Sequence, residues 1–256
     1  DKKYHLNHQI MSGHNKWSTI KRKKGANDAK RSKIFSKIIK DITIAVKEGG
    51  ADAESNPRLR LAISNAKGAS MPKDNILRAI NKGKEKDAAN FEELTYEGYA
   101  PHGIAVVVEA LSDNSQRTVA NVRAIFNKYN GSLGKNGSLS FLFDRKGIFT
   151  LKKGNIDMEE LELEIIDAGA EDFELEEDMI TITTSMENFG NMMKKLEEMG
   201  IETESAELQR IPNNTETLDL ESARKVLKMI DAFDEDDDVT NVYHNLEITE
   251  ELMNEM

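Results

Sequence analysis

The chain has 256 residues, with 35 Lys+Arg against 46 Asp+Glu, a formal net charge of −11, 38% hydrophobic and 32% charged residues, and no cysteine. At about 100–200 residues per domain, this length predicts two or three domains. The composition excludes disulfides, thiolate metal centres and cysteine nucleophiles, and no run of about 18 apolar residues offers a membrane-spanning helix.

The net charge hides a polarity. Residues 13–86 hold 19 Lys+Arg and 7 Asp+Glu, whereas residues 87–256 hold 14 and 38. A basic end on an acidic chain predicts a nucleic-acid contact there, because binding follows the local field rather than the total charge.

Residues 1–10 read as a leader or tag ahead of Met11. Gly13 to Lys24 is a polar, positively charged arm. A helix is expected from about Asn27 to Glu48, stopped by Gly49-Gly50. Asn56 caps a second helix with Pro57 at its first position, and a third runs from Pro72 to Gly83. Residues 11–86 thus read as a basic three-helix domain. A charged linker, 84–93, follows.

From about Thr95 the apolar period changes. Ile104–Ala110 reads as a buried strand, Thr118–Tyr129 as an amphipathic helix, and Leu139–Phe143 with Gly147–Leu151 as a hairpin turning at Asp144-Arg145-Lys146. A helix capped by Asp157, a hairpin at 173–183, a helix at 187–199 and an extended segment at 201–211 complete an α+β, ferredoxin-like unit over 139–211. Leu220–Phe233 is a last long helix, and 239–248 a closing strand. The strand and helix at 95–130 have no partner strands immediately after them, so the pieces after Ile211 are expected to supply them, making 139–211 an insertion in a split α/β domain of 95–138 and 212–256. The expected fold class is therefore multidomain α and α+β: a basic helical domain plus two ferredoxin-like α/β domains, one inserted in the other.

On a helical wheel, Lys30, Lys33, Lys37, Lys40 and Lys47 fall within roughly 100° of one another, opposite Ile34, Phe35, Ile38, Ile39 and Ile42. Such a stripe neutralises successive phosphates and releases counterions, without reading bases. The alternative is an ordinary solvated face. Lys16, Lys21, Arg22, Lys23 and Lys24 precede the stripe, and Arg58, Arg60, Lys67, Lys73, Arg78, Lys82, Lys84 and Lys86 follow it. The expectation is a phosphate-binding stripe whose charge reversal at Lys33, Lys37 and Lys40 abolishes binding and spares the fold. Arg31 sits in the apolar arc, where pairing with Asp28 is one role. Trp17 either stacks on a base or ribose, or clasps the arm to the helices. Arg117, in the first turn after Asp113-Asn114, either joins the helix N-terminus in holding a phosphate or simply follows a capped turn.

Other patterns are read as structural. Gly131, Gly134 and Gly137 follow a helix and lead to a strand, the reverse of a phosphate loop. Asp234–Asp238 lacks the glycine and distal glutamate of a calcium loop and reads as a solvated acidic loop that repels nucleic acid from the wrong face. No metal cluster, cofactor loop or paired nucleophile and base is visible, so no cofactor, small-molecule substrate or enzymatic activity is expected.

Six segments in order, MSGHNKWSTIKRKK (11–24), NPRLRLAISNAK (56–67), MPKDNILRAI (71–80), YEGYAPHG (96–103), DNSQRT (113–118) and 131–143, resemble the YebC family. The resemblance runs from about Met11 to beyond Asp231. It implies an N-terminal helical domain and two α/β domains, one inserted in the other. It also implies a cytoplasmic, non-enzymatic regulator that binds nucleic acid, conventionally a DNA-binding transcriptional regulator. The family includes a mitochondrial translational activator, so a ribosome-associated, rRNA-binding translation factor is the alternative.

Overall fold

The computed structural model describes residues 28–255. Helix α1 (Asp28–Gly49) contains no proline or glycine before its last residue and ends where Gly50 takes φ 87°. Asn56 caps α2 (Pro57–Gly68), its Oδ1 accepting from the Leu59 N–H at 3.1 Å. The same amide donates to the Ala45 and Gly50 carbonyls at 2.7 and 2.8 Å, which fixes α2 to the end of α1. Helix α3 is Lys73–Gly83. In chain order there follow β1 (Glu92–Tyr99), β2 (Ala105–Ser112), α4 (Ser115–Lys128), β3 (Ser132–Leu133), β4 (Phe143–Lys152), α5 (Met158–Asp167), β5 (Ala170–Glu176), β6 (Met179–Ser185), α6 (Phe189–Glu198), β7 (Ser205–Pro212), α7 (Leu220–Glu235), β8 (Val239–His244) and α8 (Glu250–Asn254).

The described residues form two compact units. One comprises residues 41–88 and 145–210. The other comprises residues 28–40, 89–144 and 211–255, so its chain is interrupted by the first. The described part of the expected helical domain, 11–86, is thus shared between units. Helices α2 and α3 group with the 145–210 sheet, for a visible reason. The Asn65 side chain exchanges two hydrogen bonds with the backbone of Ala206, at 3.0 and 2.9 Å, and Leu61 packs on that unit's core.

In the first unit the chain runs β-α-β-β-α-β with sheet order β5-β6-β4-β7, a ferredoxin-like order with one strand fewer than the β-β-α-β-β-α-β expected for 139–211. Phe149, Leu151, Ile180 and Ile182 meet Leu161 and Ile165 of α5 and Met192 and Leu196 of α6. The expected hairpin at 139–151 is instead one strand, β4. Asp144-Arg145-Lys146 contains no residue at positive φ, which a tight hairpin turn needs. Gly147 lies within the strand because a Cβ there would come 2.4 Å from Thr184 Oγ1.

The second unit's sheet has order β3-β1-β2-β8. Strand β2 is apolar from Ala105 to Val108 because both its faces are buried there. Val106, Val108 and Ala110 meet Val122 and Phe126 of α4 and Val226, Ile230 and Phe233 of α7, while Ala105 and Val107 meet Leu139, Phe143 and Tyr243. Its nearest partner is β1, directly before it, and the register runs from Glu92 opposite Ser112 to Tyr99 opposite Ala105. The linker expected over 84–93 is shorter by its last two residues, Glu92 and Glu93, which open β1. The segment EELTYEGY reads as polar because its outer half is exposed, with burial confined to Tyr96–Gly98. Residues 239–244 supply the other neighbour, as expected of a split domain. The connectivity opens with a β-hairpin, so this sheet differs from the ferredoxin-like order expected for both domains.

Candidate nucleic-acid interface

Lys33, Lys37 and Lys40 of α1 are not an open stripe. Lys33 Nζ donates to the Asp236 carbonyl at 2.9 Å, and Lys37 Nζ to Asn241 Oδ1 at 3.2 Å. Lys40 Nζ donates to the carbonyls of Leu111 and Asp237 at 3.1 and 2.7 Å, lies 3.9 Å from an Asp238 carboxylate oxygen, and sits 5.6 Å from the Phe91 ring centroid. Burial pulls the Lys33 ammonium down to about 8, against the attraction of Asp236 and Asp237. The acidic loop after α7 thus engages Lys33 and Lys40, and β8 engages Lys37. The expectation that their charge can be reversed without cost to the fold is therefore corrected. Arg31 lies over the Phe35 ring, 5.3 Å from its centroid, rather than on Asp28.

The same loop overturns its reading as solvated. Asp238 is 5% exposed. Its carboxylate accepts from Arg117 Nε and Nη2 at 2.9 and 2.7 Å and from the Thr118 hydroxyl at 2.9 Å. Burial pushes this carboxyl's pKa up, but the Arg117 and Thr118 hydrogen bonds and the charges of Arg117 and Lys40 outweigh it, so the group stays below its ordinary range. Asn114 caps α4 by accepting from the Arg117 N–H at 3.0 Å, and Arg117 Nη2 also reaches Asp113 at 2.8 Å. Arg117 thus grips two protein carboxylates, and the capped-turn reading describes it better than the phosphate reading. The cleft beside it, about 610 Å³, is lined by Lys40, Phe91, Asn121 and the acids Asp113, Glu235 and Asp236 among others. A lining so rich in carboxylates disfavours a phosphate. Among the described residues, no group of three or more His, Asp or Glu side chains is arranged to hold a metal ion.

The exposed cations lie elsewhere. Helix α2 buries Leu59, Ala62 and Ala66, and α3 buries Ile76, Ala79 and Gly83. At Gly83 a Cβ would come 3.0 Å from Val46, so a small residue allows α3 to approach α1. Arg60 and Lys67 project from α2 within roughly 20° of each other and two turns apart, about 10 Å along the axis. Arg78 and Lys82 project one turn apart from α3. These four residues and Lys73 are exposed, and no ion pair ties them to another described residue. Arg58 is paired with Glu48 at 3.0 Å. Lys47 is exposed and donates to the Ala88 carbonyl, and Lys30 is half-buried. Residues 57–86 carry eight Lys+Arg and two acids, a dense positive field. Lys16, Trp17, Lys21, Arg22, Lys23 and Lys24 fall outside the described residues. The sequence presents Lys33, Lys37 and Lys40 as an open face, because a wheel shows which residues share a side and not what that side meets.

A run of basic helices leading into two acidic units with four-stranded sheets defines a multidomain α+β protein. The chain belongs to the TACO1/YebC family: residues 15–86 match the model of the TACO1/YebC N-terminal domain, and residues 91–246 that of its second and third domains. It is 55% identical over 239 residues to a probable transcriptional regulatory protein of Amoebophilus asiaticus, covering 92% of this chain and 98% of that one. It is 52% identical over 247 residues to one from Geotalea uraniireducens, covering 96% and 100%. The crystal structure of a conserved hypothetical protein, Aq1575, from Aquifex aeolicus is similar with a TM-score of 0.77 and 44% identity, covering 87% of this chain and 93% of that one. These relatives place the chain among regulators at family level.

Proposed function

We propose that the chain is a non-enzymatic, cytoplasmic regulator of gene expression that binds nucleic acid through the exposed face of α2 and α3 together with the basic arm at 13–24. The reading rests on one observation above all: Arg60, Lys67, Lys73, Arg78 and Lys82 stand exposed with no acidic partner among the described residues, while Lys33 and Lys40 are held at the acidic loop after α7 and Arg117 by Asp238 and Asp113. Cations that answer no internal need are the ones available to phosphate, and each phosphate neutralised releases counterions. The names of the relatives favour transcription as the process, and DNA is the ligand that process calls for. Few exposed Asn, Gln or Arg side chains on these helices suit base edges, so recognition rests on backbone and shape.

A second reading is a translation factor that binds ribosomal RNA. Its specific support is the division of charge, with residues 87–256 holding 38 acids to 14 basic residues, which suits a protein-lined ribonucleoprotein site at least as well as bare duplex. Competition between labelled promoter fragments and purified ribosomes at about 150 mM salt separates the two. The transcription reading expects a particular fragment to stay bound in excess ribosomes. Ribosomes that strip every fragment would transfer the protein to translation.

A further inference from the structure

We infer that the outer face of α5 is a docking surface for a basic, amphipathic helix of a protein partner, with Leu163 and Ile166 as its apolar centre and Glu159, Glu160 and Asp167 around them. This surface stands whether or not α2 and α3 hold nucleic acid.

Helix α5 turns Leu161 and Ile165 into the core of its unit, where both are fully buried. At about 100° per residue, Leu163 points roughly opposite to that pair, and Ile166, Glu159, Asp167 and Glu160 fall within roughly 60° of Leu163. All five are exposed, Leu163 by 71% and Ile166 by 39%. The two apolar side chains are three residues apart and so adjoin on the helix surface. One flank of the helix is closed, because Lys195 of α6 donates to Glu164 at 2.8 Å. The other adjoins β5, the edge strand of the sheet. There Leu175 is 41% exposed on the side of the sheet that α5 covers, since its register partner Ile180 lies in that core. Scattered single apolar side chains on a surface need no explanation, but this pair shares one helix face with three carboxylates and meets nothing in its own unit.

The charge decides what covers it. Residues 157–178 hold 12 Asp and Glu and no Lys or Arg. Lys195 and Lys146 meet Glu164 and Glu171, whereas no ion pair ties Glu159, Glu160 or Asp167 to another described residue. Helix stability accounts for the two glutamates in the first turn, where the dipole favours acids. It does not account for Asp167 at the other end, where the dipole disfavours an acid and α5 has no basic residue in its last turn. A cation brought by a partner answers both Asp167 and the unmatched helix end. Phosphate is repelled here, and so is the same face of a second copy, which would lay acid on acid. A cationic helix with an apolar stripe matches both halves of the surface. Its stripe covers Leu163 and Ile166, and its Lys and Arg side chains reach the carboxylates around them.

The probe is a fluorescein-labelled peptide of about 18 Lys and Leu residues patterned as an amphipathic helix, with a scrambled peptide of the same composition as control, both at about 150 mM salt. The full chain is expected to bind the patterned peptide more tightly than the scrambled one. Leu163→Ser/Ile166→Ser, which leaves the charge unchanged, is expected to weaken the patterned peptide by about tenfold or more, with Leu163→Met/Ile166→Val retaining it. Glu159→Gln/Asp167→Asn is expected to weaken it by about threefold, and Glu250→Gln/Glu251→Gln, which removes two exposed acids from α8, to leave it unchanged. Duplex DNA affinity is expected to be the same in wild type and in Leu163→Ser/Ile166→Ser, which separates this surface from the nucleic-acid face. Circular dichroism checks that each variant keeps its fold. Patterned and scrambled peptides bound alike, or a patterned peptide bound as tightly by Leu163→Ser/Ile166→Ser, would reduce the face to plain charge and overturn the proposal. Self-association that Leu163→Ser/Ile166→Ser abolishes in sedimentation would also overturn it, by making a second copy the occupant. So would failure of the wild-type chain to bind either peptide.

Discussion

Asp238 shows how one residue can decide what its neighbours are for. Its buried carboxylate accepts from Arg117 and Thr118, and the loop around it collects Lys33 and Lys40. Asp238→Ala would leave Thr118 and part of Arg117 without their acceptor. It is expected to cost about 2–3 kcal/mol in urea unfolding, the scale for losing hydrogen bonds to a buried charge. The carboxyl is depressed below its ordinary value of 3.8. Its contribution is therefore complete above that pH and is lost as pH falls through the lower folded value. The stability advantage of wild type over Asp238→Asn should be constant from neutral pH to about 4 and shrink below it. An advantage that grew on acidification would contradict the assigned pairing. None of this was legible in the sequence, where Asp234–Asp238 is a run of like charges and its partners lie some 120 and 200 residues earlier.

At the scale of elements, the parts set by local chemistry were readable. Asn56-Pro57 marks the start of α2 and Gly49-Gly50 the end of α1, because caps and stops act within a few residues. The elements from Met158 to Glu198 also follow their apolar periods. What failed depended on pairing. Strand β1 hides in a polar segment because its partner β2 supplies the burial, and β4 absorbs a charged triplet that looked like a turn. The α1 lysines failed for a related reason. A cationic helix face and an acidic loop far along the chain meet only in the fold. Charge reversal at Lys33, Lys37 and Lys40 should place three carboxylates against Asp236, Asp237 and Asp238. The expected loss is about 2–4 kcal/mol of stability by thermal or urea unfolding, the scale for breaking partly buried charge contacts. A triple variant with wild-type stability would return the stripe to the surface and to the list of phosphate contacts.

Across the whole molecule, charge is divided between what the fold consumes and what it leaves exposed. The acidic loop after α7 engages part of the basic end, Lys33 and Lys40, and also Arg117 from the acidic remainder. The exposed face of α2 and α3 is the described remainder. The polarity of the chain was plain from composition, but its subdivision needed coordinates, since Lys33 and Lys67 look equally available in a sequence. On the proposed function that face, rather than total charge, sets the affinity for nucleic acid. The most direct test is the salt dependence of duplex DNA affinity for wild type and for Arg60→Glu/Lys67→Glu/Arg78→Glu/Lys82→Glu, with urea unfolding to show that the variant keeps its fold. The account predicts a loss of tenfold or more. It also predicts a shallower slope of log affinity against log salt, by about 0.9 for each phosphate contact removed. An unchanged slope in a folded variant would contradict it.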